Sequence, residues 1–189
     1  MMRLKPILTA IACVGMVPLA ACNDQAAETG EAEAEAVSNE TLAANITGLE
    51  GHSTLAGAIT NTGLSTLLDG TSDYTILAPD DAAFAKLGDA GKTLMENDQK
   101  AVMVAVLRDH LIPGELTVDA IRTAIADKGG PVTMRTMGSN SVTFSQEGDR
   151  VMVKGSDGSA ATIIEPAITA ANGSLIKVDA VLVKSGPNG

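Results

Sequence analysis

The strongest constraint in this chain is a change of period. Over residues 41–128 apolar side chains recur at helical spacing; over residues 131–184 they alternate, with Gly129 and Gly130 at the changeover. A helix repeats a face about every 3.6 residues and a strand every two, so each pattern buries its apolar side chains in only one of the two conformations. The expectation is a run of helices followed by a run of antiparallel strands, which makes the fold α+β and not a doubly wound sheet. One exception lies inside the first half, where residues 73–79 read DYTILAP, a short β-prone run ended by proline.

Within the helical half, Leu55, Ile59, Leu67 and Leu68 predict a short helix, a break at Gly63, and one further turn. Asp80 or Asp81 stands before an apolar run at residues 82–87, where a carboxylate accepts hydrogen bonds from free N–H groups and suits the helix dipole. Asn97 or Asp98 is placed to cap a helix over residues 99–112. Its Val102, Met103, Val106, Leu107, His110 and Leu111 form one apolar stripe, and Pro113-Gly114 stops it. Thr117 caps a further helix with Ile121 and Ile125 inward, ended by Gly129-Gly130. The strand half shows Val132/Met134, Val142/Phe144, Val151/Val153 and Ile176/Val178/Ala180/Leu182, with turn signals between them. Asn172-Gly173 reads as the centre of a type I′ hairpin turn, since both of its central residues need positive φ.

The first 21 residues read as an address. Arg3 and Lys5 precede an apolar run over residues 7–21, which is too short to span a bilayer comfortably. The run ends Leu19-Ala20-Ala21-Cys22, which resembles the bacterial lipobox, in which the cysteine thiol is lipidated and becomes the first mature residue. Cys13 lacks the upstream leucine. An ordinary secretory signal ending at Ala21 is the alternative, but the lipobox also explains why no partner cysteine exists. Asn23, where an inner-membrane retention signal would carry Asp, favours the outer membrane. Residues 22–40 follow as an acidic, alanine-rich stretch with no bulky apolar residue except Val37, and read as a disordered tether. A folded domain is then expected over residues 41–186.

Charge and composition remove several functions. The whole chain has a formal charge of −10. Loss of the signal takes away two basic residues and leaves −12, of which residues 41–189 carry −6. That acidity, with Tyr74 as the one tyrosine and no tryptophan, opposes nucleic-acid binding. With no cysteine after Cys22, disulfides, thiolate zinc sites and cysteine nucleophiles are excluded from the domain.

Three stretches resemble one family. Residues 75–87, TILAPDDAAFAKL, look like the first fasciclin (FAS1) box. Residues 107–117, LRDHLIPGELT, are similar to the family's central stretch, and residues 172–183, NGSLIKVDAVLV, to its second box. The resemblance implies a β-wedge with helices packed beside it and a non-enzymatic adhesion or interaction module. Two positions depart from it. Asp109 stands where many members have the Tyr of a Tyr-His pair, and Lys177 where many have His. The Tyr-His adhesion site of some animal members therefore does not carry over by default.

Few residues offer chemistry. His52 reads as a surface or capping histidine. His110 reads as half-buried and bonded to a backbone carbonyl, with a pH-sensitive contact as the sharper alternative. Asp80 and Asp81 are the only adjacent carboxylates, and capping accounts for them. Residues 155–158 form a turn rather than a calcium loop. No nucleophile-elbow, zincin, P-loop or dinucleotide motif is present, and Asp109 is a poor orienter for its neighbour His110. Met95, Met103, Met134, Met137 and Met152 suit core filling, or a flexible apolar groove. The expectation is an exported lipoprotein of the bacterial envelope, anchored to the membrane through Cys22. It would present one fasciclin-like domain to an envelope or extracellular protein or to a matrix component, with no cofactor and no catalysis. A carrier of a small lipophilic ligand such as a pigment is the alternative, and a hydrolase the third reading. The scarcity of aromatics weakens a lectin-like version and leaves Arg108, Arg122, Arg135 and Arg150 as the interface residues of hot-spot type.

Overall fold

The computed structural model describes residues 36–183. In chain order the elements are β1 (Ala36–Val37), α1 (Leu42–Gly48), α2 (Ser53–Thr62), α3 (Ser65–Leu68), β2 (Tyr74–Pro79), α4 (Asp81–Ala85) and α5 (Asp89–Leu94). A 3₁₀ turn (Asn97–Gln99) leads into α6 (Lys100–Asp109), β3 (Leu111–Pro113) and α7 (Val118–Lys128). The strands β4 (Val132–Arg135), β5 (Ser141–Glu147), β6 (Arg150–Gly155), β7 (Ala160–Ala170) and β8 (Gly173–Val178) complete the chain. The α+β class is as the periodicity predicts.

The strands run in the order β3-β2-β8-β7-β6-β5-β4, with β1 added to β7. Only β2–β8 and β1–β7 pair in parallel. β7 turns the corner of the wedge. Its first residues pair with β6 and its last with β8, and the register shifts between Ile164 and Ile168, where the Glu165–Pro166 bond is cis. One core lies between the sheet and α1–α4 and α6, around Leu42, Leu55, Leu68, Phe84 and Leu107. The other lies inside the wedge under α7, around Ile121, Phe144, Val153 and Val178. β2 and β8 separate them: Ile76 and Leu175 enter the first core, Leu77 and Ile176 the second. Burial on both faces is why these two strands are almost continuously apolar, and each such Leu or Ile contributes about 1.5–3 kcal/mol.

Helix ends follow the sequence in most places. Thr117 Oγ1 accepts the Ala120 N–H at 3.1 Å, and Gly63 and Gly129 terminate α2 and α7 in the left-handed conformation. Four expectations are corrected. The helix expected to reach residue 112 stops at Asp109, and Leu111–Pro113 pair antiparallel with β2. Pro113 disfavours helical backbone at Ile112, and the edge of β2 gains a partner. Neither Asn97 nor Asp98 caps α6; both lie in the 3₁₀ turn, and Gln99 stands at the cap position without a side-chain bond. The hairpin before β8 is centred on Ala171 and Asn172, because Ala170 pairs with Gly173. Finally, pairing begins inside the stretch read as tether. Ala36 and Val37 align with Ile168 and Thr169, the Ser38 N–H donates to Thr169 O at 2.7 Å, and the Ala171 N–H to Glu40 O at 2.8 Å. The signal, Cys22 and the rest of the tether lie outside the described residues.

Candidate interaction site

The site grows from the end of α6. His110 follows the last helical residue, and its ring turns into the protein, 1% exposed, not half-buried as the sequence suggested. Nδ1–H donates to the Val106 carbonyl at 2.8 Å, and Nε2 accepts the Leu182 N–H at 2.9 Å. A nitrogen that accepts a backbone N–H carries no proton, so the bonds fix the neutral tautomer. Burial lowers the pKa below its ordinary 6.5; the Val106 carbonyl and the charges of Asp109 and Asp157 oppose that without reversing it. Both ring nitrogens are thus occupied by backbone, and neither is free to act as a base.

Asp109 faces away from the ring. Its Oδ2 accepts the Asn140 amide at 2.7 Å and its Oδ1 the Thr136 hydroxyl at 3.2 Å. Gly138 lies against the same carboxylate, and a Cβ there would come within 2.0 Å of Oδ1. Asn140 Oδ1 in turn accepts the Ser156 hydroxyl at 3.1 Å, and the Ser156 N–H donates to Ser141 O at 3.2 Å. This chain ties the β4–β5 and β6–β7 turns to the end of α6. Beside it opens a depression of about 480 Å³ lined by Arg135, Ser139, Asn140, Ser141 and Ser156. A narrow neck at Asp109, Asp157 and Leu182 shares Asn140 and Ser156 with it. Beyond the neck, sharing Asp157, a second depression of about 310 Å³ is lined by Lys86, Leu87, Ala160, Ala180 and Val181.

The other candidates resolve into structural roles. Asp80 Oδ1 accepts the Ala83 N–H at 2.6 Å and caps its own helix, α4. Asp81 turns to α2 instead, so the two carboxylates do not converge. His52 is buried, contrary to the surface reading; Nδ1–H donates to Glu50 O at 3.0 Å and Nε2 meets no partner among the described residues. Residues 155–158 form the β6–β7 turn, as expected, with Asp157 Oδ1 accepting the Ser159 N–H at 2.9 Å. Among the described residues no group of three or more His, Cys, Asp or Glu side chains is placed to hold a metal, and no helix is long and apolar enough to cross a membrane. Arg122 is forked onto Glu165 and also bonds Asp149 O at 3.2 Å, which withdraws it from an interface role. Of the four arginines, Arg135 lines the large depression. Asn140 and Ser156 were missed by sequence reasoning; Asn140, closing a Gly-Ser-Asn turn, was the signal that could have found them.

A fasciclin domain model matches residues 50–184. The chain belongs to the fasciclin family. Protein sll1483 of Synechocystis sp. is 27% identical over 138 residues, covering 72% of this chain and 69% of that protein. The solved FAS1 domain pair from the insect cell adhesion molecule Fasciclin I superposes with a TM-score of 0.68 at 19% identity, over 77% of this chain. The match spans about half of that pair, 51% of its length, and at this identity it establishes the fold. Fasciclin domains are in general adhesion or interaction modules, and the family is generally non-enzymatic.

Proposed function

We propose that this fasciclin domain is a lipid-anchored interaction module of the bacterial envelope, and that it binds its partner through the trough between the β4–β5 and β6–β7 turns. The observation that carries the choice of face is the Asp109–Asn140–Ser156 chain, which holds two surface turns in a fixed relation beside an open depression. Binding loses least entropy where the groups that contact the partner are already ordered. Lipid on Cys22 would fix the chain to the membrane, and residues 23–35 would let the domain reach at most about 45 Å from it. That distance suits an envelope protein or a matrix component close to the surface.

The carrier reading has less support. The Met-lined cavity, between Ala58, Leu94, Met95 and Met103, measures about 100 Å³. Pockets that enclose drug-sized ligands hold about 300–1,000 Å³. The test of the adhesion reading is binding of the soluble mature chain to envelope fractions of its own source across a salt series. Saturable binding that weakens on Arg135→Gln or Ser141→Arg supports it. Binding unaffected by both substitutions moves the interface elsewhere, and non-saturable signal at every salt sinks direct adhesion.

A further inference from the structure

We propose that His110 is the catch of an acid-released strap, the segment Val181 to Val183, whose release uncovers apolar surface beside the depression at Lys86 and Ala160. The strap follows β8 and belongs to no strand. Its two leading side chains enter different cores, Val181 the helix-side core and Leu182 the wedge core. Asp179, just before it, is firmly held: Oδ1 accepts the Thr162 N–H at 2.6 Å, its own N–H donates to Thr162 O at 3.1 Å, and its carbonyl accepts Lys86 Nζ at 2.7 Å. Beyond that anchor, the polar attachment of the strap to the body is the Leu182 N–H donated to His110 Nε2.

This attachment works only while the imidazole is neutral. Protonation places an N–H on Nε2, directly facing the Leu182 N–H, so an attractive contact becomes two opposed donors. It also puts a charge at a site without water, which is costly unless the group is paired. The groups that face the ring do not supply that pairing. Asp109 on α6 has turned its carboxylate to Asn140 and Thr136, Asp157 stands on the exposed β6–β7 turn, and residues 180–183 contain no titratable side chain. β2, whose Leu77 N–H donates to the His110 carbonyl at 2.9 Å, brings only apolar residues from Ile76 to Pro79. Swinging the strap out gives the ring water and relieves both penalties. Acid therefore favours release, with Asp179 as the hinge, while β2 and β8 stay paired behind it.

The experiment is residue-resolved amide exchange on the full mature chain, with Cys22→Ser to keep it in solution, from about pH 7.5 down to about pH 4.5, a range that brackets imidazole titration. After correction for intrinsic rates, Leu182 is expected to lose at least about ten-fold more protection than Ile76 in β2, as local opening requires. His110→Gln, whose amide can accept the Leu182 N–H and donate to Val106 without titrating, is expected to flatten that pH response. Parallel loss at Leu182 and Ile76 would overturn the strap and leave ordinary acid unfolding, and unchanged Leu182 protection would overturn it too. If His110→Gln does not fold, the wild-type comparison still decides, since the imidazole signals of His110 must titrate together with Leu182 exchange.

Discussion

Asp81 caps a helix to which it does not belong: its Oδ1 accepts the N–H of Thr54, 27 residues earlier, at 2.7 Å. Oδ2 takes the Ser53 hydroxyl at 2.8 Å and the Ser53 N–H at 3.3 Å, while the Asp81 N–H donates to Gly51 O at 2.7 Å. The free N–H groups at the start of α2, where His52 occupies the cap position without capping, are satisfied from α4. Adjacent carboxylates thus close two helices, Asp80 its own and Asp81 a remote one, and the start of the helical layer is fastened to the end of β2.

Asp81→Ala is expected to destabilise the protein by about 1–2 kcal/mol, the range for a lost N-cap. The hydrogen bonds from Thr54 and Ser53 pull the Asp81 carboxyl down from 3.8 to about 2, against a smaller opposing effect of burial. A depressed folded-state value means that stability is fully present above 3.8 and is lost as pH falls toward 2. Urea midpoints of wild type and Asp81→Asn should therefore differ at neutral pH and converge across that acid window. A constant gap would show that the carboxylate charge contributes nothing.

Gly173 tests close approach rather than turn chemistry. Its φ is +135°, and a Cβ would lie 1.8 Å from the Tyr74 carbonyl oxygen, which forces β2 and β8 apart. Gly148, at φ +61°, has open space around its would-be Cβ. Gly148→Ala should cost about 1 kcal/mol, the penalty of left-handed backbone alone. Gly173→Ala should cost at least about 3 kcal/mol, in the range of mutations that damage packed structure. Equal losses at the two positions would mean that the strands accommodate the methyl group.

What the sequence made legible is what local chemistry controls. Thr117, Ile121, Ile125 and Gly129 carry a cap, a face and a stop within one helix, and Phe144 and Val153 alternate within their strands. β3 was hidden because Leu111 and Ile112 continue the apolar stripe of α6, and only the edge of β2, far away in sequence, makes strand the better conformation. β7 was hidden because Glu165-Pro166 breaks its alternation. The end of the tether was misplaced because a two-residue strand has no local signal; Ala36 and Val37 are held by β7 alone. The site divides in the same way. A histidine bonded to the carbonyl four residues back was readable from helix geometry, whereas Leu182, 72 residues from His110, was not. The partners of Asp109 and the second helix served by Asp81 also depend on contacts across the fold.

Asp109 is expected to act through the turns it holds. Asp109→Ala leaves the Asn140 amide without that acceptor and the Thr136 hydroxyl with Asn140 O alone. Because the site is part-exposed, the cost should be about 1–1.5 kcal/mol, as for ordinary hydrogen bonds, and not a core-sized loss. Amide exchange should rise at residues 138–141 and 156, and affinity for envelope fractions should fall more than stability does. Unchanged exchange in those turns would show that the carboxylate does not order them.

Asn172 is the strongest single tie between the helical layer and the hairpin. Buried at 5% exposure, its Nδ2 donates to Leu68 O at 2.7 Å and Gly70 O at 2.8 Å, and its Oδ1 accepts the Leu42 N–H at 2.8 Å. Asn172→Ala strands three backbone groups, each worth about 1–3 kcal/mol when left unsatisfied in the interior, though water will recover part of that. Asn172→Asp keeps the acceptor for Leu42 but aims a carboxylate at two carbonyl oxygens. Burial and that repulsion raise the pKa of the introduced carboxyl in the fold above its unfolded value, so the folded state takes up a proton more readily than the unfolded one. The damage is then smallest in acid, where a protonated carboxyl donates one of the two lost bonds, and grows as pH rises through the carboxyl range. Chemical denaturation of this variant between about pH 4 and about pH 7 should show stability falling with pH relative to wild type. A pH-independent deficit would mean that the side chain has swung out to solvent and that the tie between α1, α3 and the hairpin can be broken without rearranging them.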